Sequence, residues 1–464
     1  MSDRLPPFNS FGRRSTLSQP APVQSEKDFS APPPTLDDNG FVFDDFSDDV
    51  AQIRVLCLSS IDPSTIVNLP PERIRVEIEK AISQIVAANR LQVNQSEQRQ
   101  LASDLVNDMM GLGPLQVLVD DTRVADIMVN GPDRVFVEID GKTYRSKVRF
   151  RDQAHLSNIC QRIASAVGRR VDEASPIVDA RLADGSRVNI VFPPLALDGP
   201  YVSIRKFSAK AIDLEKLVAL GTITPQMAGL ISLMGRCRLN IIVSGGTGSG
   251  KTTLLNAISR AVIPTERIIT IEDAAELQLQ QPHVVRLETR PASLEGGGEI
   301  TQRDLVRNAL RMRPDRLIVG EVRSGEAFDM LQAMNTGHDG SMSTVHANSS
   351  RDALTRIENM VHMGSINLSA NAIRAQIASA VDVIIQIERH RDGKRRVTQI
   401  SDVGRMEGDV IILNDILTFV IDSESSDEAI KGGYAFSRAR PSFWQKLVYF
   451  GVAGQWQKIM SESV

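Results

Sequence analysis

Gly245-Gly246-Thr247-Gly248-Ser249-Gly250-Lys251-Thr252 is the stretch on which the reading of this chain turns. It follows Asn240-Ile241-Ile242-Val243-Ser244, an apolar run of strand length, and precedes Thr253-Leu254-Leu255-Asn256-Ala257-Ile258, which reads as a helix start. A glycine-rich loop set between a strand and a helix is the context that marks a phosphate-binding loop. Its glycines let the backbone curl with N–H groups turned inward. Those donors and the positive end of the following helix suit phosphate oxygens. The pattern gives Gly245, Gly246, Thr247, Gly248, Ser249, Gly250, Lys251, Thr252 and Thr253 to a nucleotide. Within it, Lys251 reaches the β- and γ-phosphates and the Thr252 hydroxyl ligates Mg²⁺.

Beyond the loop, apolar runs such as Ile268-Ile269-Thr270-Ile271, Leu317-Ile318-Val319 and Val381-Asp382-Val383-Ile384-Ile385 alternate with helical runs to about 420. That alternation predicts a largely parallel sheet with helices on both faces. Upstream, Thr224 caps and Pro225 opens a helix that leads into the loop's strand. The chain divides into a disordered, proline-rich tail over 1–50, a helical region over 51–114 and an α+β domain over 115–207. A linker over 208–224, a nucleotide-binding domain over 225–420 and a polar tail ending in an aromatic helix expected to pack on the body, over 421–464, follow. The helical region shows in Ile74, Ile78, Ile82 and Ile85 and in Leu101, Leu105 and Met109, each set on one helix face. The α+β domain shows in the alternation of Val135, Val137 and Ile139, the Asp140-Gly141 turn, a helix marked by Leu156, Ile159, Cys160, Ile163 and Val167, and strands near 187–191 and 201–204.

The totals narrow the function. A net charge of −4, with 42% hydrophobic and 24% charged residues, describes an ordinary globular chain with no basic character aimed at nucleic acid. Cys57, Cys160 and Cys237 are too sparse for a metal site or a disulfide framework, which fits a reducing cytosol. No apolar run reaches the roughly 20 residues of a spanning helix.

Hydrolysis needs more than a phosphate loop: a group to orient water, a metal-side carboxylate and extra positive charge. Three strand ends supply them. Glu272, closing Ile271-Glu272-Asp273-Ala274-Ala275-Glu276, is the expected general base, while Asp273 and Glu276 suit helix capping. Glu321 closes Leu317-Ile318-Val319-Gly320-Glu321, a Walker B form with Gly320 where a metal-holding Asp usually stands; Glu321 is left to hold the Mg²⁺ shell through water, and Arg323 follows it. His338 and His346 bracket a short strand, and His346 is placed to sense the γ-phosphate.

These boxes stand in the order of the type II/type IV secretion ATPases, which the chain resembles over about 60–420. Met128-Val129-Asn130-Gly131-Pro132-Asp133-Arg134-Val135, Asp184-Gly185-Ser186-Arg187-Val188-Asn189 and Val202-Ser203-Ile204-Arg205-Lys206-Phe207 are similar to the CpaF-type ATPases of tight-adherence (Flp) pilus assembly, as is the segment from Ile300 to Asp315. The resemblance implies an α/β fold: a RecA-like P-loop domain preceded by an α+β (PAS-like) N-terminal domain and a small helical region. It also implies a homohexamer that uses ATP and Mg²⁺, peripheral to the cytoplasmic face of the inner membrane through pilus or secretion platform proteins, with no direct nucleic acid partner. ATP would be hydrolysed between the two domains, with Arg187 and Arg205 completing the site and Arg181 behind them. A motor of a conjugative or effector-delivering type IV system is the alternative. A nucleic-acid motor and a non-hydrolysing scaffold are more distant ones.

Overall fold

The computed structural model describes residues 53–54, 56–57, 71–139, 141–207, 212–290, 297–364, 368–423, 425–426 and 429–462. The expected tail over 1–50 and Asp140 of the expected turn lie outside the described residues.

Two helices, α1 (Pro71–Asn89) and α2 (Gln95–Met110), pair first. Ile74, Ile78 and Ile82 of α1 and Leu101 and Leu105 of α2 are fully buried, and Ile53 and Cys57 complete a small separate core. Asn94 starts α2 with a reciprocal cap: its Oδ1 accepts from Glu97 N at 2.9 Å, and the Glu97 carboxylate accepts from Asn94 N at 2.8 Å.

The short helix α3 (Gln116–Asp120) leads into an α+β domain built from β1 (Val124–Asn130), β2 (Val135–Ile139), β3 (Lys142–Arg145), α4 (Gln153–Ala166), β4 (Ile177–Arg181), β5 (Arg187–Val191) and β6 (Tyr201–Arg205). The strands form an antiparallel sheet in the order β3-β2-β1-β6-β5-β4. Val135, Val137, Val188, Ile190, Val202 and Ile204 share one core with Leu156, Ile159, Cys160 and Ile163 of α4. The alternating residues therefore make the opposite, polar face. There the register sets Arg181 beside Arg187 and Arg187 beside Arg205, a row of three arginines across β4, β5 and β6. β4 escaped the sequence reading because only Val178 of its five residues is buried.

The second domain carries α5 (Leu214–Ala219), α6 (Pro225–Arg236), β7 (Ile241–Gly245), α7 (Lys251–Ser259), β8 (Ile268–Glu272), β9 (Val284–Glu288), α8 (Gln302–Ala309), β10 (Arg316–Val319), α9 (Glu326–Asn335), β11 (Met342–His346), α10 (Ser350–Met363), α11 (Ala370–Ala380), β12 (Val383–Arg389), β13 (Arg395–Glu407), β14 (Val410–Ile421), β15 (Gly432–Phe436), α12 (Trp444–Tyr449) and α13 (Ala453–Glu462). As expected, the Thr224 hydroxyl caps α6 by accepting from Met227 N at 3.2 Å, with Pro225 opening the helix. α5 falls inside the stretch read as linker.

The nine-stranded sheet runs β15-β14-β13-β12-β7-β11-β10-β8-β9. The strands from β12 to β9 are parallel, and β7, β8 and β10 are buried at every residue. Helices cover both faces, as fully buried parallel strands require. β13, β14 and β15 instead add on antiparallel, so the sheet is more mixed than expected. The polar part of the segment read as a tail from 421 also joins this body, and the aromatic stretch packs on it as expected. β15 pairs with β14, and α12 and α13 seat Phe443, Leu447 and Trp456 in the same core as the loop-bearing helix α7. Phe443 and Trp456 meet edge to face, centroids 5.4 Å apart at 85°. No described helix is long and apolar enough to cross a membrane.

Candidate functional site

In a parallel sheet the C-terminal strand ends collect ligands. Here β7, β8, β10 and β11 bring Gly245, Glu272, Glu321 and His346 to one such edge, and all four line a cleft or its loop. The cleft measures about 960 Å³ and is also lined by Lys251, Thr252, Thr253, Arg187 and Arg205.

The loop leaves β7 at Gly245, where a Cβ would lie 2.2 Å from the Ile387 carbonyl, so no other residue fits. Gly248 and Gly250 take φ of +70° and +98°, the left-handed conformation that glycine adopts without strain. α7 then starts at Lys251. Lys251 Nζ donates to Gly245 O at 3.1 Å and Gly246 O at 2.9 Å, and lies 3.2 Å from His346 Nδ1. Burial pulls the Lys251 ammonium below its ordinary pKa. Burial does the same to His346, which leaves the imidazole neutral near pH 7. His346 Nε2 is 2.9 Å from Glu321 Oε1, so the network assigns the proton to Nε2 and leaves Nδ1 to accept from Lys251. Glu321 Oε2 in turn accepts from Arg323 Nη2 at 2.7 Å, and Arg323 lies 3.6 Å from Asp273. Lysine, histidine, glutamate, arginine and aspartate thus form one chain of polar contacts along the strand ends.

Glu272 is 3% exposed. Its Oε2 accepts from Glu276 N at 2.7 Å and Leu277 N at 3.0 Å, while Oε1 is buried without a partner. Burial outweighs those two bonds and pushes its pKa up to about 7. The structure also accounts for the missing aspartate at 320. A Cβ there would sit 2.8 Å from Glu272 Cγ, so the space of a residue-320 side chain is taken by Glu272. The segment after Glu272 is an irregular loop rather than the helix N-terminus expected for Asp273 and Glu276; the Glu272 carboxylate itself caps its N–H groups.

The arginine row meets this loop. Arg187 Nη2 donates to Ala274 O at 3.0 Å, and Arg187 Nε lies 3.3 Å from Glu276 Oε1. Arg181 pairs with Glu288 at 2.8 Å, and the exposed Arg205 pairs with Asp126 at 3.2 Å. His338 is not at the site. It precedes β11, at the strand end opposite His346, and turns Nδ1 toward Ala333 O.

Two lining residues were not singled out from the sequence. Arg395 Nε donates to Gly248 O of the loop at 2.9 Å, and Arg389 Nη2 donates to Gly141 O of the β2–β3 turn at 2.9 Å. The basic run Arg389-His390-Arg391-Asp392-Gly393-Lys394-Arg395-Arg396 was their signal.

The residues fit a nucleoside triphosphate. The loop has the positive-φ cradle that turns N–H groups inward, and among the described residues Lys251 is held by the carbonyls of Gly245 and Gly246 and a neutral imidazole. For Mg²⁺ the cleft offers the Thr252 hydroxyl and the Glu321 carboxylate, a sparse set suited to an ion that keeps most of its waters. Among the described residues no group of three or more His, Cys, Asp or Glu could hold a metal by itself. These features have the form of a P-loop with an acidic strand edge, facing a second domain that carries arginines.

The chain belongs to the type II/IV secretion system protein family, whose model matches residues 108–414. It is 41% identical over 331 residues to a putative conjugal transfer protein of Mycobacterium tuberculosis, covering 70% of this chain and 93% of that one. It is 35% identical over 298 residues to the conjugal transfer protein TrbB of Rhizobium radiobacter, covering 63% and 87%. Among solved structures, the VirB11 ATPase of the Brucella suis type IV secretion system is 30% identical, with 62% of this chain and 95% of that one covered and a TM-score of 0.34.

Proposed function

We propose that the chain is a secretion-machine ATPase that splits ATP in the cleft at Lys251 and turns the splitting into movement between its two domains. The observation that carries this reading is the meeting of Lys251, Glu272, Glu321 and His346 at one sheet edge, faced by arginines of the other domain. In this role Lys251 leaves the loop carbonyls for the phosphate oxygens, and His346 reports the change to Glu321 through Nε2. Glu272 accepts the proton of the attacking water, which suits a pKa near the working pH. Thr252 and Glu321 would hold Mg²⁺, which supplies charge neutralisation at the phosphates. Arg187 and Arg205 meet the charge that grows on the γ-phosphate.

The relatives named above are conjugal-transfer and type IV secretion proteins, which favours that branch over the CpaF-type pilus-assembly branch suggested by the motif stretches. A homohexamer bound peripherally to inner-membrane platform proteins from the cytoplasmic side belongs to this proposal, as does the absence of a direct nucleic acid partner. The test is Mg²⁺-dependent phosphate release by the full chain. Lys251→Ala is expected to abolish it. Arg205→Ala is expected to lower kcat more than tenfold while nucleotide affinity stays within about threefold. Nucleotide binding with no phosphate release from the parent would replace the motor by an ATP-locked scaffold. Steep, salt-sensitive stimulation by DNA or RNA would replace it by a nucleic-acid motor.

A further inference from the structure

Two cavities meet at the strand ends. The cleft is one, and a second of about 670 Å³ lies on the side of the sheet that α10 covers. They share Thr247, Glu321, Arg323 and His346. The polar chain along the strand ends is therefore a partition with open space on both sides. The volume of the second cavity is on the order of twenty waters at about 30 Å³ each, ample for a small hydrated ion.

The outer wall of this cavity is one face of α10, where Asp352, Arg356, Asn359, Met360 and Met363 follow one another at helical spacing. Met360 is buried, whereas Arg356 and Asn359 are exposed and Met363 is 65% exposed, so the cavity opens to solvent there. Among the described residues Arg356 makes no hydrogen bond or ion pair. Its charge still reaches the partition: after burial and the charges of Lys251 and Arg323, it is a further cause of the lowered pKa of His346. The acids of the cavity are already engaged. Glu321 is taken by His346 and Arg323, and Asp352 Oδ2 accepts from Asn348 N at 3.0 Å.

We propose that this second cavity is the exit for orthophosphate, which passes Thr247 and Glu321 and is drawn out by Arg356 while ADP stays on the loop. This rests on the reading of the cleft as a site of ATP hydrolysis. On the cleft side, ADP and the arginine-bearing domain stand in the way, with Arg187 tied to Ala274 O at 3.0 Å. Leaving on that side needs the domains to part, whereas leaving through the partition needs side chains to turn, which is the faster motion. The order of release follows: phosphate first, then ADP as the domains separate. An unpaired cation at the mouth lowers the barrier for a dianion in both directions, so it sets rates and leaves the equilibrium at the inner site alone.

The experiment uses orthovanadate, a phosphate mimic that enters from solution, on the full chain saturated with MgADP. Labelled ADP retained on gel filtration reads the rate of trapping, and its later loss reads the rate of escape. Arg356→Gln is expected to slow both rates about fivefold, with a weaker salt dependence than the parent, and to leave vanadate and MgADP affinities within about twofold. Arg356→Lys keeps the charge and should trap at the parent rate. Asn359→Trp narrows the mouth from an exposed helix position and should slow both rates at least as much as Arg356→Gln. Parent trapping rates in both Arg356→Gln and Asn359→Trp would overturn the exit and send phosphate out through the front of the cleft. Weaker vanadate affinity in Arg356→Gln would overturn it too, making Arg356 a ligand of the inner site, as would a changed oligomeric state in light scattering, which would make this face of α10 a subunit contact. A parent that cleaves ATP in a rapid quench but traps no vanadate overturns a passage open while ADP is bound. A parent that cleaves no ATP at all overturns the ATPase reading itself, and the exit with it.

Discussion

Replacing Glu272 by glutamine separates the chemistry of this carboxylate from its effect on folding, because the structure makes both large. The side chain is 3% exposed and its pKa rises to about 7 from an ordinary 4.5, with burial as the largest cause. A carboxyl that holds its proton more tightly when folded stabilises the fold below the unfolded pKa, and that stability drains away as pH rises through the folded pKa. The window therefore runs from about 4.5 to about 7. At about 1.4 kcal/mol for each pH unit, the loss above it is about 3.5 kcal/mol. Glutamine keeps an oxygen to accept from Glu276 N and Leu277 N and carries no charge to bury. Near pH 8 Glu272→Gln is expected to be more stable than the parent by up to about 3.5 kcal/mol, or on the order of 7–14 °C in the melting temperature of a domain this size. Near pH 5 the two should nearly coincide. In the same variant ATP turnover should fall about 10²–10⁴-fold, the usual worth of a general base, while ATP stays bound. Thermal melts at the two pH values and phosphate release at saturating ATP check both halves. A variant that melts with the parent near pH 8, or that hydrolyses at the parent rate, refutes the reasoning about Glu272.

Other outcomes follow from single contacts. Gly320→Asp restores the Walker B acid but drives a Cβ to 2.8 Å from Glu272 Cγ; it should destabilise by about 1–3 kcal/mol and lower turnover rather than raise it, read by melting and phosphate release. Glu276→Gln loosens the partly exposed pair that holds Arg187 beside Ala274, so basal turnover should rise a few-fold, and the rise should vanish in the Arg187→Ala background. Lys446→Met strips the cation lying 2.8 Å from Asp382, whose pKa burial already raises, and should cost about 3 kcal/mol in denaturant unfolding with the nucleotide cleft untouched.

The parts of the fold and site that could be read from the sequence are those written in contiguous residues. The phosphate loop is one such part, because its strand, glycines and helix follow one another without a break. Glu272 and Glu321 are another, because acids that end apolar runs stand out from the core around them. What the sequence hid depends on approach between distant segments. The glycine at 320 reads from the sequence only as a Walker B strand without its usual aspartate, and it is the fold that puts Glu272 in the space beside it. Three arginines on separate strands become a row only through strand register, which composition does not encode. The antiparallel strands β13, β14 and β15 were underread for a related reason, whereas the aromatic C-terminus packs on the body as its composition predicts. Residues of these strands pair antiparallel at the edge of a sheet whose other strands are parallel, and β15 lies past the expected end of the domain near 420.

The arginine row has a mechanical meaning. Neighbouring strands are held about 4.8 Å apart by their ladder, so Arg181, Arg187 and Arg205 are teeth of one rigid comb rather than three independent arms. Tilting that sheet by a few degrees carries every tooth toward the cleft or away from it at the same moment. Under the proposed domain movement, engagement would come as a single step shared by all three guanidiniums, which is how a stiff scaffold can give a gradual swing a sharp threshold.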